Sequence, residues 1–214
     1  MSDVLAPELP RPVSASPPDI PTDRREQLLD LARVALTVAV QQADSSTLDR
    51  SFEAVAGADD PAAVFVTLTK DGALRGCIGT LEPVWSLRTA VVAATIDAAL
   101  SDPRFRSVRA VELPALHLDI SVLGLPVPMV DPDEFKPGVD GVVVERDGHR
   151  ALLLPEVATE LGWGTTRMLD AVCEKAGLPT RAWRDERTSL SSFRTIRFGG
   201  PVIPAARFEP VIRR

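Results

Sequence analysis

Val64-Phe65-Val66-Thr67-Leu68-Thr69, followed by Lys70-Asp71-Gly72 and then Ala73-Leu74-Arg75-Gly76-Cys77-Ile78-Gly79, is the stretch on which the fold turns. Two apolar runs flank an Asp-Gly pair, which readily takes the positive φ values of a two-residue hairpin loop. The stretch therefore reads as a β-hairpin with Cys77 on its second strand. Period-2 alternation then places Leu74, Gly76 and Ile78 on one face and Arg75 and Cys77 on the other. Gly76 and Gly79 leave the backbone open to close approach, by a ligand or by a neighbouring strand.

The same logic extends outward. Val142-Val143-Val144-Glu145, Asp147-Gly148 and Arg150-Ala151-Leu152-Leu153-Leu154 form a second hairpin. In Leu116-His117-Leu118-Asp119-Ile120-Ser121-Val122 the apolar residues alternate with polar ones, so this strand has one buried and one polar face. A last strand is expected over residues 193–198. Helical spacing of Leu28, Leu31, Ala32, Ala35, Leu36, Ala39 and Val40 marks a helix from a Thr22 N-cap to about Gln42. Residues 44–60 read as a loop with a helical turn. Leu87, Val91, Ala94 and Ala98 mark a second helix, stopped before Asp102-Pro103 because the residue before proline avoids the helical region. That turn exposes Arg104 or Arg106. Thr165 or Thr166 caps a third helix through Met168, Leu169, Val172, Cys173 and Ala176, with Gly177 at its C′ position. Pro126, Pro128, Pro132 and Pro137 make a stiff connection between the middle strand and the second hairpin. Hairpin-linked strands with interspersed helices, lacking strict strand-helix alternation, indicate an α+β fold.

The chain has 214 residues, 45% of them hydrophobic and 25% charged, enough for one sizeable core. A formal charge of −6 argues against a nucleic-acid binder, which needs a basic face. Six prolines in residues 1–21 indicate a disordered Pro-rich tail ahead of a single domain over 22–214. Neither a signal-peptide pattern nor a run of about 18 apolar residues is present, so a soluble cytoplasmic protein away from membranes is expected. Two cysteines far apart make no disulfide framework and fit a reducing cytosol.

Cofactor chemistry finds little support. Cys77, His117, His149 and Cys173 lack metal-ligand spacing, although carboxylate-only sites stay open. The Gly76-Cys77-Ile78-Gly79 run lacks the Lys-Ser/Thr ending of a phosphate loop, and no cysteine cluster suits an iron-sulfur centre. No cofactor is expected.

Cys77 and Arg75 are the candidate catalytic residues, because a glycine-flanked thiol near a cation favours the reactive thiolate. The competing reading is a cysteine packed as a small apolar side chain. Arg75 either clamps a small anionic ligand with its planar guanidinium or forms a salt bridge to Asp97 or Asp119 that joins strands. Arg104 is a second anion-binding candidate, against a merely solvated arginine. His117 and Asp119 share a face and either form a general-base arrangement or belong to an exposed or interlobe polar surface. Gly76 and Gly79 complete the candidate ligand-binding set. Cys173, on the apolar stripe of the third helix, reads as core, and His149 in its hairpin turn as solvent-facing.

Leu74-Arg75-Gly76-Cys77-Ile78-Gly79 also resembles the signature of the AMME chromosomal region candidate (AMMECR-type) domain family, known in prokaryotes as AmmeMemoRadiSam system protein A. Asp102-Pro103-Arg104-Phe105, Ser121-Val122-Leu123, Pro137-Gly138-Val139-Asp140-Gly141, Leu154-Pro155 and Lys175-Ala176-Gly177-Leu178 with Trp183 resemble the family's later blocks in order, across roughly residues 25 to 200. The resemblance implies a two-lobed domain: a mixed sheet with flanking helices, and a smaller irregular lobe, around a cleft. The proline-rich connection and second hairpin are placed in the smaller lobe. It implies Memo-type and radical-SAM proteins as partners, and it names no reaction. Two functions follow as expectations: a cytosolic cysteine-dependent enzyme or enzyme component acting on a small anionic substrate, or a non-catalytic binding module or adaptor for those partners.

Overall fold

The computed structural model describes residues 16–203. The expected disordered tail lies outside the described residues as far as residue 15. At its end Ile20 is buried and its carbonyl accepts from Arg25 Nε at 2.7 Å, so core packing begins before Thr22.

Asp71 and Gly72 have φ of 51° and 79°, and Asp147 and Gly148 have 50° and 80°, the paired left-handed residues of a tight hairpin loop. The first loop folds β1 (Ala63–Lys70) onto β2 (Ala73–Thr80), and the second folds β5 (Gly141–Arg146) onto β6 (His149–Leu153). With β3 (Leu116–Leu123), β4 (Val127–Pro128), β7 (Ser189–Phe193) and β8 (Thr195–Pro201) they form two four-stranded sheets, ordered β2-β1-β3-β8 and β4-β7-β5-β6. The α+β expectation holds, with two corrections of detail. All strand pairings in both sheets are antiparallel, so the larger sheet is not mixed. The smaller lobe is built on its own sheet instead of irregular chain, because even the proline-rich segment contributes β4 at an edge, where a missing amide does least harm.

Helices α1 (Thr22–Gln41) and α3 (Leu87–Leu100) cover one face of the larger sheet. Leu28, Leu31, Leu36, Val91 and Ala98 pack there in one core with Val64, Val66, Leu68, Leu118 and Ile120. Thr22 is the first helical residue, with Pro21 in the cap position. A full helix, α2 (Ser46–Ala54), replaces the expected loop with a helical turn, because Leu48 and Phe52 reach this core and Arg88 stacks over the Phe52 ring at 4.7 Å.

In the second lobe α4 (Pro155–Leu161) was not expected, although Pro155 is a proline at a first helical position. Helix α5 (Thr165–Lys175) starts after Gly164 and lays Met168, Leu169, Val172 and Cys173 against Val142 and Val144. It ends in the paired bonds of a left-handed cap: Leu178 N–H donates to Cys173 O at 2.9 Å and Gly177 N–H to Glu174 O at 3.0 Å.

The expected strand over residues 193–198 belongs to two sheets. Phe193 ends β7, Thr195 opens β8, and Arg194 alone crosses between them. Beside it β3 leaves the first sheet for β4, and Gly124 N–H donates to Arg194 O at 2.8 Å. The sheets are thus stitched together at one end. Next to the stitch Ala63, Leu123, Val143, Leu154 and Phe193 form an apolar core between them. The layers run helices, sheet, sheet, helix, and the two inner faces define a wedge.

On the other face, Gly76 lies so close to α3 that a Cβ would collide with the Ala98 carbonyl oxygen. Gly76→Ala should therefore lower the unfolding free energy by about 2 kcal/mol, the usual cost of overpacking, measured by urea denaturation. A loss under about 0.5 kcal/mol, the scale of an ordinary surface substitution, would mean that the contact is not a packing constraint.

Candidate functional site

The sequence alternation fails at one residue. Leu68 pairs with Gly76 and Thr69 with Leu74, so Arg75 is the extra residue of a β-bulge. Its side chain goes to the helix side of the sheet, where Nε donates to Glu112 Oε1 at 3.1 Å and Nη2 to Glu112 Oε2 at 3.2 Å. Arg75 therefore does not share a face with Cys77, and its salt-bridge partner is Glu112, not Asp97 or Asp119. Leu74, opposite Thr69, lies on the Cys77 side and is 42% exposed.

Cys77 is held from both sides. Its backbone faces the free edge of β2, where Asp102 and Arg104 stand in for a missing strand. Cys77 N–H donates to Asp102 Oδ2 at 2.8 Å, and Arg104 Nη2 donates to Cys77 O at 3.1 Å. Arg104 also bonds Asp102 through Nε at 3.0 Å and Nη2 at 2.7 Å. The Arg104 bonds, followed by the Cys77 amide, drive the Asp102 carboxyl well below the usual range. The anion that Arg104 holds is the chain's own Asp102. Gly79 is likewise constrained by packing, since a Cβ there would strike Phe65.

The Cys77 side chain points into the wedge. Register aligns Cys77 with Thr67 on β1, Thr67 with Asp119 on β3, and Asp119 with Gly199 on β8. Thr67 Oγ1 donates to Cys77 Sγ at 3.4 Å. One row thus carries a thiol, a hydroxyl and a carboxylate across the sheet. Arg197 closes it, giving Nη2 to Asp119 Oδ2 at 3.1 Å while Nη1 reaches Glu160 Oε1 at 3.2 Å on α4. The row above holds Ser121, buried and bonded to Glu156 Oε1 at 3.1 Å. The row below holds His117, whose Nε2 is 3.7 Å from Asp119 Oδ1. Along β3 the wedge passes from dry at Ser121, to 14% exposed at the Asp119 side chain, to 48% at His117.

Lys175, at the end of α5 behind the second sheet, is an exposed cation beside β6, the edge strand of that sheet. Its Nζ donates to Leu152 O at 2.9 Å. Partial loss of surrounding water lowers its pKa, and a thiolate at Cys77 would raise it. The structure therefore brings Cys77 and Asp119 to one row with His117 beside it, and takes Arg75 out. Sequence reading missed Thr67, Arg197 and Lys175. Thr67 was hidden by the bulge, since a regular hairpin register would set Val66 opposite Cys77, and Lys175 comes from another lobe and gave no signal. Cys173 is fully buried, and burial raises its pKa. His149 is exposed, with Nδ1 2.9 Å from Ala176 O. Among the described residues no three His, Cys, Asp or Glu side chains converge to hold a metal ion, and no helix is long and apolar enough to cross a membrane.

Two antiparallel sheets stitched at one end, helices outside, and a thiol-bearing row in the wedge define a two-lobed α+β domain. The AMMECR1 family model matches residues 29–198, and the chain belongs to the AMMECR1 family. A protein of Methanothermobacter thermautotrophicus is 47% identical over 136 residues, 61% of this chain and 71% of its own length. One from Methanocella arvoryzae is 39% identical over 157 residues, 68% and 79% of the two chains. The crystal structure of the uncharacterised protein PH0010 from Pyrococcus horikoshii superposes with a TM-score of 0.77 at 33% identity, covering 86% of this chain and 96% of that one.

The Arg75 hydrogen bonds, aided by the Arg109 amide and Lys70, hold the Glu112 carboxyl at about 2, below its ordinary 4.5. A carboxyl whose pKa is lower folded than unfolded contributes stability above pH 4.5 and loses it as pH falls through about 2. Glu112→Gln should therefore flatten the acid limb of stability in that window, read by urea denaturation at successive pH values. Equal slopes in variant and parent would show that Glu112 is not linked to folding.

Proposed function

We propose that this chain is a cysteine-dependent enzyme or enzyme component, with Cys77 as its reactive thiol and the wedge between the sheets as the seat of a small anionic substrate. The observation that carries this reading is the row Cys77-Thr67-Asp119 on the face of the sheet turned toward the second lobe. Lys175, not Arg75, is the cation that meets the substrate. Thr67 orients the sulfur, and Asp119, fixed by Arg197, is the available proton acceptor beside His117. Both cysteines are free, which supports a reducing cytosol as the setting.

Two alkylating reagents of similar size test it, neutral iodoacetamide and anionic iodoacetate. In the folded protein Cys77 should be labelled and Cys173 spared. Lys175→Ala should slow iodoacetate about fivefold more than iodoacetamide, the effect of one charge removed at several ångströms in a wet cleft. An inert Cys77, or equal slowing of both reagents, overturns the reading.

A second reading rests on exposed apolar surface. Val84 and Trp85, in the loop after β2, are 65% and 56% exposed, a pair suited to docking a partner. The partners proposed are the Memo-type and radical-SAM proteins that the family resemblance implies. In a pull-down with purified partners, Trp85→Ala should reduce capture at least about tenfold, the scale of a central aromatic contact, while Cys77→Ser leaves it unchanged. Unaltered capture by Trp85→Ala removes this reading.

A further inference from the structure

Behind β2, on the side away from Cys77, Arg75, Arg106, Ser107, Arg109 and Glu112 enclose a cavity of about 270 Å³. The Arg75 side chain is only 15% exposed, yet Glu112 occupies two of its five N–H donors. The other three meet no acceptor among the described residues. Glu112 is already filled: besides Arg75 it accepts from Lys70 Nζ at 3.4 Å and from Arg109 N–H at 3.0 Å. Arg106 pairs with no carboxylate among the described residues, and the Arg109 guanidinium reaches no nearer than 4.0 Å to Glu112 with 80% exposure. Four cations thus gather around one saturated carboxylate, in a chain whose net charge is −6.

We propose that this cavity is a binding site for a phosphate group, either the free ion or a small phosphomonoester. Guanidinium forks from three points of the chain suit a tetrahedral dianion that accepts from several directions, whereas a carboxylate offers a single plane. The volume sits just under the roughly 300–1,000 Å³ of small-molecule pockets, room for a phosphate and a few attached atoms. The site is separate from the thiol wedge, because the β-bulge turns Arg75 to one face of β2 while Cys77 keeps the other.

The test is a phosphorus NMR titration of the full chain at constant ionic strength, with inorganic phosphate in one arm and glycerol 3-phosphate in the other. Saturable line broadening at millimolar concentration or below is expected. Tighter binding of glycerol 3-phosphate assigns the ester, and tighter binding of inorganic phosphate assigns the free ion. Arg106→Ala/Arg109→Ala should weaken binding at least about tenfold, the factor carried by one charge-assisted hydrogen bond. The phosphate-free melting temperature should stay unchanged, since neither arginine is tied into a strong ion pair. Cys77→Ser should bind as the parent does, which keeps the outcome independent of the thiol reading. Absent saturation, undiminished binding by the double arginine variant, or loss of binding in Cys77→Ser overturns the proposal.

Discussion

The structure depends on a single stitch. Where Gly124 N–H meets Arg194 O at 2.8 Å, two segments pass between the sheets in adjacent positions. Beside them Phe193 and its apolar neighbours are sealed from water. Burial of that cluster is the hydrophobic force pressing the lobes together, and the paired crossings fix where it acts. Everything on the inner faces inherits its position from this end.

The polar row is a direct product of that arrangement. An antiparallel ladder sets cross-strand neighbours roughly 5 Å apart, so Cys77, Thr67 and Asp119 are brought together without any local sequence motif joining them. The second lobe then decides their environment. It dries Ser121, leaves Asp119 largely screened behind Arg197, and abandons His117 to solvent. A thiol in the middle of such a gradient keeps partial access to water. The outer edge of β2 needs separate help, since Cys77 there has no partner strand. Asp102 and Arg104 supply the acceptor and donor in its place.

What the sequence disclosed, it disclosed through local rules. Both Asp-Gly loops, the alternating strand 116–122 and the glycine that closes α5 are governed by nearest-neighbour geometry, and each appears where that geometry puts it. The errors have a common cause in longer range. The Arg75 bulge adds one residue to β2, and a period of two converts that single insertion into a change of face. The sheet switch at Arg194 has no glycine or proline to announce it. Helix α2 owes its length to packing by Leu48 and Phe52 against distant residues, which outweighs the Ser, Asp and Gly around it. Arg104 read as an open anion receptor because its partner, two positions back, looked only like a helix terminator.

A joint at one end also dictates how the two lobes can move. Relative rotation must pivot about the Gly124 and Arg194 crossings, as jaws do about their hinge. Displacement therefore grows with distance from that axis: small at Ser121, intermediate at Asp119 and Cys77, largest at His117. The lever arm is written in the register of β3 itself, two residues per step.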